Sequence, residues 1–431
     1  MQTQIYGDFV HFPALGAIEI LSDYMIVVDE EGHIIHNEPM SSEKSKELRS
    51  NSCATVTRYE IPKGSFVIPT FCDLHLHAPQ FLYQGTGLHL PLMQWLNEYA
   101  FKAEEKIDAD PQLAQQVYDR LAHQLLEHGT GAVVLFGTIK SETNLILART
   151  MQSKGIRAYV GKLSMDISSR PTYVEPSAEA SLEAARSFSR ECQHLTSDLP
   201  VHERLVQPIL TPRFVPTCSN AVLHGLGQLA KEDSLWIQSH MAESLDQVQW
   251  VKAERGLDDI DVFDKYHLLT PRTIQAHCTF LDTSSLSHVA ARGTSIAHCP
   301  LSNAYFSAEP FRLREALDNE VKVGLGTDIA GGYSIDIMNC MRQTVAVSRM
   351  REGTRVLQAA ERGTNDDARS LSIDWKESLY LATAGGATAM GLSGGAGTLR
   401  VGAPFDAQYS RLRIIRFCTD VNLDASDSRN F

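Results

Sequence analysis

Two histidines, His75 and His77, stand one residue apart in DLHLHAPQ, directly after the apolar run FVIP. Alternate residues of a strand share a face, so both imidazoles point to the same side and can chelate one divalent metal. The pair alone proves little: with 16 histidines among 431 residues, chance supplies about 0.6 His-x-His pairs. Its weight comes from what else the chain places at strand ends. His240, followed by Glu243, closes LWIQSH; His277 closes TIQAHC; Asp328 closes VKVGLGTD. A third imidazole and a carboxylate added to the first pair make a nitrogen and oxygen donor set suited to Zn²⁺, with one position left for water. Each residue has an ordinary alternative: a satisfied core histidine, a first-turn helix carboxylate for Glu243, a turn cap for Asp328. Their conjunction at four different strand ends has none. His298, in AHCP, suits a structural role as well as a direct one.

Something must bring residues some 250 positions apart to one place. Eight apolar runs of strand length recur: FVIP leading into CDLHLH, GAVVLFGT (131–138), IRAYVGKLSM (156–165), RLVQPIL (204–210), LWIQSH (235–240), TIQAHC (273–278), TSIAHC (294–299) and VKVGLGTD (321–328). Helical signals separate most of them. In DPQLAQQVYDRLAHQLLEHG, Asp110 suits the N-cap, Pro111 the first turn and Gly129 the stop. Leu113, Val117, Leu121 and Leu125 then repeat every four residues on one face. Strands alternating with helices in this way predict an α/β fold, a TIM-like (β/α)8 barrel whose function sits where the strands end. Residues 1–66 read instead as short strands, with a hairpin in AIEILSDYMIVVDEEGHII and an exposed helix or loop at 40–52. DWKESLYLATAGGATAMGL (374–392) reads as a helix pair, and GGAGTLRVGAPFDAQ (394–408) returns to turn-rich β character. The predicted organisation is a barrel over 67–392 and a small β domain built from both chain ends, 1–66 and 393–431.

The totals exclude some partners. A formal charge of −13 and a pI near 5.7 argue against nucleic acid or an anionic membrane surface as the main partner. Eight cysteines are scattered without a C-x-x-C, the pattern of reduced thiols in the cytosol. MQTQIYGDFVHF has no basic region leading into a long apolar core, and no apolar run approaches the ~20 residues of a membrane span. A cytoplasmic location without a signal peptide is expected.

PTFCDLHLHAPQF, LPLMQWLNEYAF, TPRF, QSHMAES, AHCPLSNAYF and GLGTDIAGGYS together resemble the guanine deaminases of the amidohydrolase superfamily, from about residue 5 to 407. H-x-H with a late aspartate marks the superfamily; HAPQ with TPRF and GTDIAGGYS narrows it. The resemblance implies one zinc ion per chain held by His75, His77, His240 and Asp328, with His277 ligating it or holding its hydroxide. It also implies a purine site at His77, Ala78, Pro79, Gln80, Arg213 and Phe214, bounded by His240, Glu243 and Asp328, and a homodimer. The pattern of other zinc deaminases, H-x-E followed by P-C-x-x-C, is absent, since HNE at 36–38 has no such partner. Three positions depart from the family's pattern: Thr70 for glycine, Lys102 for proline in Y-x-F-P-x-E, and the tail QYSRLRIIRFCTDVNLDASDSRNF after PFDA.

The implied reaction is hydrolysis of guanine to xanthine and ammonia, with guanine and water as substrates. Water bound to zinc becomes a usable nucleophile near pH 7. Asp328 can take a proton from it, Glu243 can protonate ring N3, and His277 can hold the attacking oxygen. Phe214 offers a stacking face, Arg213 a donor for O6, and Gln80 both donor and acceptor. Two rival readings remain: an amidohydrolase acting on another purine, a pyrimidine or a triazine, and an inactive scaffold of the same fold. Arg213 with Gln80 argues against the first, and the intact set of catalytic residues against the second.

Overall fold

A computed structural model describes residues 2–50, 56–307, 309–363 and 369–411. The chain begins with β1 (Gln2–His11), β2 (Glu19–Val28), β3 (Ile34–Pro39), β4 (Val56–Glu60) and β5 (Ser65–Pro69). The hairpin read from the sequence is β2 paired antiparallel with β3. The charged stretch after it forms the helix Glu43–Ser50, which buries Ser45 and leaves its charged groups outside the sheet.

The barrel strands follow: β6 (Phe71–His77), β7 (Thr130–Phe136), β8 (Arg157–Gly161), β9 (Leu163–Ser164), β10 (Val206–Pro212), β11 (Trp236–Met241), β12 (Thr273–His277), β13 (Ser295–His298) and β14 (Lys322–Leu325). They run in the order β14-β13-β12-β11-β10-β8-β7-β6, with the short β9 pairing β10. All these pairings are parallel. Parallel strands need covering on both faces, and every residue of β6 is buried. The helix Pro111–Glu127 shows how the cover is specified. The Asp110 side chain accepts from the Gln112 and Leu113 N–H groups at 3.0 Å, and Val117, Leu121 and Leu125 are buried beneath. Leu113, at the first turn, is half-buried.

The ring nearly closes between β6 and the segment after β14. The Asp328 N–H donates to the His75 carbonyl and the His77 N–H to the Ile329 carbonyl, each at 2.8 Å. Gly326 permits this approach, because a Cβ there would lie 2.9 Å from the His75 Cβ. The eighth run therefore differs from its sequence reading in one respect. Its strand stops at Leu325, and Asp328 reaches the mouth on the closing loop.

A last strand, β15 (Ala407–Arg411), pairs antiparallel with β5, Ala407 opposite Pro69 and Arg411 opposite Ser65. The small sheet thus draws on both chain ends, in the order β15-β5-β1-β2-β3 with β4 on β1. Phe9, Ile26, Ile34 and Leu399 form its buried face. Thr70, one of the departures, donates its N–H to the Asp406 carbonyl at 3.0 Å and so ties sheet to barrel. The divergent tail from 412, like Cys53 and Cys418, lies outside the described residues. Cys72, Cys192, Cys218, Cys278, Cys299 and Cys340 are buried free thiols. Among the described residues no helix is long and apolar enough to cross a membrane.

Candidate active site

Five side chains, from the ends of β6, β11 and β12 and from the loop after β14, meet at the barrel mouth. The His75 and His77 rings lie 5.1 Å apart and nearly perpendicular, at 85°. His240 Nε2, from β11, is 3.0 Å from His77 Nε2. Asp328 Oδ1 is 3.1 Å from His75 Nε2 and 3.6 Å from His77 Nε2. His277 Nε2 sits 3.8 Å from Asp328 Oδ2 and 3.6 Å from Glu243 Oε2. His277 and Asp328 both adopt left-handed backbone, at φ 68° and 51°. Such non-glycine geometry costs about 1–3 kcal/mol each and persists where surrounding bonds over-determine it. Here the bonds that close the barrel hold Asp328.

The hydrogen bonds behind the rings settle which nitrogens face inward. His240 Nδ1 donates to the Arg213 carbonyl at 2.6 Å, and His277 Nδ1 to the Asn303 side-chain oxygen at 2.8 Å. Both Nε2 atoms are left as lone pairs. Burial first, then the neighbouring imidazoles, holds His77 and His240 well below the ordinary histidine value, and burial takes His277 down to about 4. Neutral imidazoles are what a cation requires. His75 Nε2 and His277 Nε2 are buried without a hydrogen-bond partner among the described residues. Ligand atoms of a tetrahedral site with bonds of 2.0–2.1 Å stand about 3.4 Å apart, and the separations here, 3.0 to 3.8 Å, bracket that value. The donor set fits a divalent ion such as Zn²⁺. Cys299 also reaches His75 and His277, and burial pushes its thiol well up. His298 stands apart from these convergent groups, its ring 5.1 Å from Phe311. Burial brings its pKa to about 3.

The two carboxylates at the mouth are driven in opposite directions. Burial, reinforced by Asp328, holds Glu243 well above the ordinary carboxylate range, which favours its protonated form. Burial also acts to raise Asp328, but His75 and His277 outweigh it and leave the pKa lowered. Carboxyl groups pushed apart in this way divide into acid and base.

Over the cluster lies a cleft lined by Gln80, Trp95, Arg213, Phe214 and Phe306 beside His77, His240, Glu243 and Asp328. Gln80 belongs to the 3-10 turn Ala78–Tyr83 that follows β6. Ala78 and Pro79 are buried in that turn, and His77 and Gln80 on either side of them line the cleft. Arg213 and Phe214 come directly after β10, with the Phe214 ring 6.3 Å from His240 and edge-on to it. Arg213 is 1% exposed. Its Nη1 donates to Glu104 Oε2 at 2.5 Å, while Nη2 has no partner among the described residues.

Sequence reasoning missed Glu104, Asn303, Trp95 and Phe306. Trp95 and Glu104 lie in segments already singled out, LPLMQWLNEYAF and Y-x-F-P-x-E, where the only residue remarked on was Lys102. That lysine pairs with Glu98 at 2.9 Å on the solvent side. The departure at 102 therefore leaves the buried face of the segment intact.

The barrel and its mouth are those of a hydrolase class. Residues 66–414 match the Amidohydrolase family, and the chain belongs to that family. Within it, similarity runs to guanine deaminases. The chain is 36% identical over 406 residues to the guanine deaminase of Mus musculus, covering 93% of this chain and 84% of that protein. The crystal structure of guanine deaminase from C. acetobutylicum, with guanine bound in its active site, matches with a TM-score of 0.82 at 28% identity, over 95% of this chain and 90% of that one. A zinc-bound adenosine deaminase from Xanthomonas campestris shares the fold, with a TM-score of 0.76 at 22% identity over 94% and 83% of the two chains.

Proposed function

We propose that this chain hydrolyses guanine to xanthine and ammonia, with one zinc ion per chain held by His75, His77, His240 and Asp328. The observation that carries the reading is the placement of this donor cluster at the wall of the cleft that holds Arg213 and Gln80. The guanine deaminases among its relatives support the substrate.

Bound there, Zn²⁺ would supply a Lewis acid that brings the pKa of a water down to about 7. The chain's own residues do the rest. Phe214 offers its ring to the purine face, and Arg213 Nη2 donates to O6. Glu243, held protonated, gives its proton to ring N3 as oxygen adds to C2. Asp328 accepts a proton from the water and returns it to the departing amine; as the C2–N bond breaks to release ammonia, the added oxygen gives its remaining proton to Glu243 and becomes the C2 carbonyl of xanthine. His277, oriented by Asn303, turns its lone pair toward the same point, where it serves as a further ligand or accepts a hydrogen bond from the water.

We divide the chain at 1–66, 67–392 and 393–431 into the two parts of the small domain and the barrel, with β5 (Ser65–Pro69) carrying the small sheet three residues past the first of these boundaries. We also propose a cytoplasmic homodimer. Six buried free thiols suit a reducing compartment, and the helix Ile337–Glu361 leaves Met350 and Leu357 exposed, at 72% and 66%, as an apolar face for a second copy. Sedimentation tests the dimer. The activity is tested by metal analysis of purified protein together with guanine absorbance and ammonia release over time. Full turnover by metal-free protein would overturn the assignment.

A further inference from the structure

The helix Phe101–Ala109 lies outside the ligand set, yet one of its carboxylates holds both polar groups of the recognition pocket. Glu104 is fully buried. Its Oε1 accepts from Gln80 Nε2 at 2.8 Å and its Oε2 from Arg213 Nη1 at 2.5 Å. Phe101, three residues earlier, places its ring 4.8 Å from the Arg213 guanidinium carbon, close enough for a cation–π contact. A buried ion pair that merely compensates the Arg213 charge accounts for one of these bonds and leaves the Gln80 bond without a role.

Gln80 is where Glu104 does more than compensate charge. The Gln80 Oε1 accepts from the Ala330 N–H at 3.2 Å. A carboxylate only accepts and a backbone N–H only donates, so a single orientation of the amide satisfies both neighbours. Turned over, it would set two acceptors together at Glu104 and two donors together at Ala330. Glu104 thereby decides that Gln80 has an N–H left for a ligand. It treats Arg213 alike, engaging Nη1 and leaving Nη2, which is buried without a partner among the described residues. Both residues line the cleft, and each has a donor to spare.

We propose that Glu104 is the positioning residue of substrate recognition: by fixing Gln80 and Arg213 it turns two donors toward the ligand and selects purines that carry an oxygen at C6. This rests on the guanine reading above. The reading itself is tested first and separately, by turnover of guanine with wild-type protein.

The test compares guanine with 2-aminopurine, which keeps the C2 amine and lacks the C6 oxygen, measuring KM and kcat for the first and Ki for the second as a competitor. Glu104→Gln preserves size but sets an amide N–H₂ against one of two donor partners. KM for guanine should rise by about 30–100-fold with kcat changed far less, while Ki for 2-aminopurine moves by less than about threefold. Metal content should equal that of wild type. Glu104→Asp retains the charge and retracts it by one methylene, so it keeps the comparison available if the glutamine variant does not fold. It should show the same split at smaller size. Parallel weakening of both purines, or a fall confined to kcat, would reduce Glu104 to a structural ion-pair partner, as would an unchanged KM for guanine.

Discussion

The backbone carbonyl of Arg213 accepts a hydrogen bond from His240 Nδ1 at 2.6 Å, while the side chain of the same residue lines the substrate cleft. In the proposed reaction, one position orients a metal-binding imidazole through its main chain and reads the ligand through its guanidinium. The two roles are separable by mutation, because a side-chain substitution leaves the carbonyl in place.

Arg213→Ala should accordingly retain wild-type metal content. Its kcat/KM for guanine should fall by about 2–4 kcal/mol, from the lost charge-assisted bond and the Glu104 carboxylate left without its cation. Metal analysis beside steady-state kinetics checks both halves. Loss of metal in this variant would show that the side chain, too, supports His240.

His75→Ala removes the imidazole nearest Asp328, at 3.1 Å. Metal and turnover should both be lost, since three remaining donors leave Asp328 facing one fewer cation-binding partner. The fold should survive, held by the long apolar core that runs through the barrel and its helices. Circular dichroism with metal analysis reads the two outcomes independently. A variant that kept stoichiometric metal would remove His75 from the ligand set.

Glu243→Gln keeps the size and reach of the side chain and abolishes proton transfer. Guanine and metal should still bind, and kcat should drop by about 10²–10⁴, the usual worth of a general acid or base. An unaltered kcat would leave Glu243 with a structural task alone.

Asp259 gives a prediction about stability and pH. It opens the helix Asp259–Lys265 and accepts from Gln247 Nε2 at 2.9 Å, while Oδ2 is buried without a partner among the described residues. Burial pushes its carboxyl from 3.8 up to about 6. The unfolded chain releases this proton near pH 4 and the folded chain near pH 6. Stability from the group is therefore present below that window and lost as pH rises through it, by on the order of 2–3 kcal/mol. Asp259→Asn cannot ionise, so its stability relative to wild type should improve by about that amount between pH 4 and pH 7. Urea unfolding at the two pH values measures it. An equal difference at both would mean that Asp259 does not titrate there.

Much of this molecule is local information. Alternation put His75 and His77 on one strand face, Asp110 and Pro111 opened a helix, and the turn between two apolar runs made the β2–β3 hairpin. Each depends on neighbours a few residues away, whose backbone preferences and periodicity any reader of the chain can follow. Strand ends rich in histidine and carboxylate likewise announced a metal-binding mouth, because barrel topology gathers all such ends at one face.

Other relationships were decided by packing across the ring. Asp328 meets His75 because β14 closes on β6, a register set by main-chain bonds between residues about 250 positions apart. Glu104 meets Arg213 across 109 residues, and Asn303 meets His277 from a different helix. In sequence Glu104 is one acidic residue of AFKAEEKIDA, indistinguishable by type from the exposed charges around it. Its neighbour Glu105 pairs with Arg170, part-exposed, whereas Glu104 is sealed. Helical phase separates adjacent residues by about 100°, but which side of that helix faces the cleft is a property of the folded ring. Residue type and spacing determined that the chain carries a donor set suited to a metal. Long-range register alone decided which polar groups stand behind it and hold it in shape.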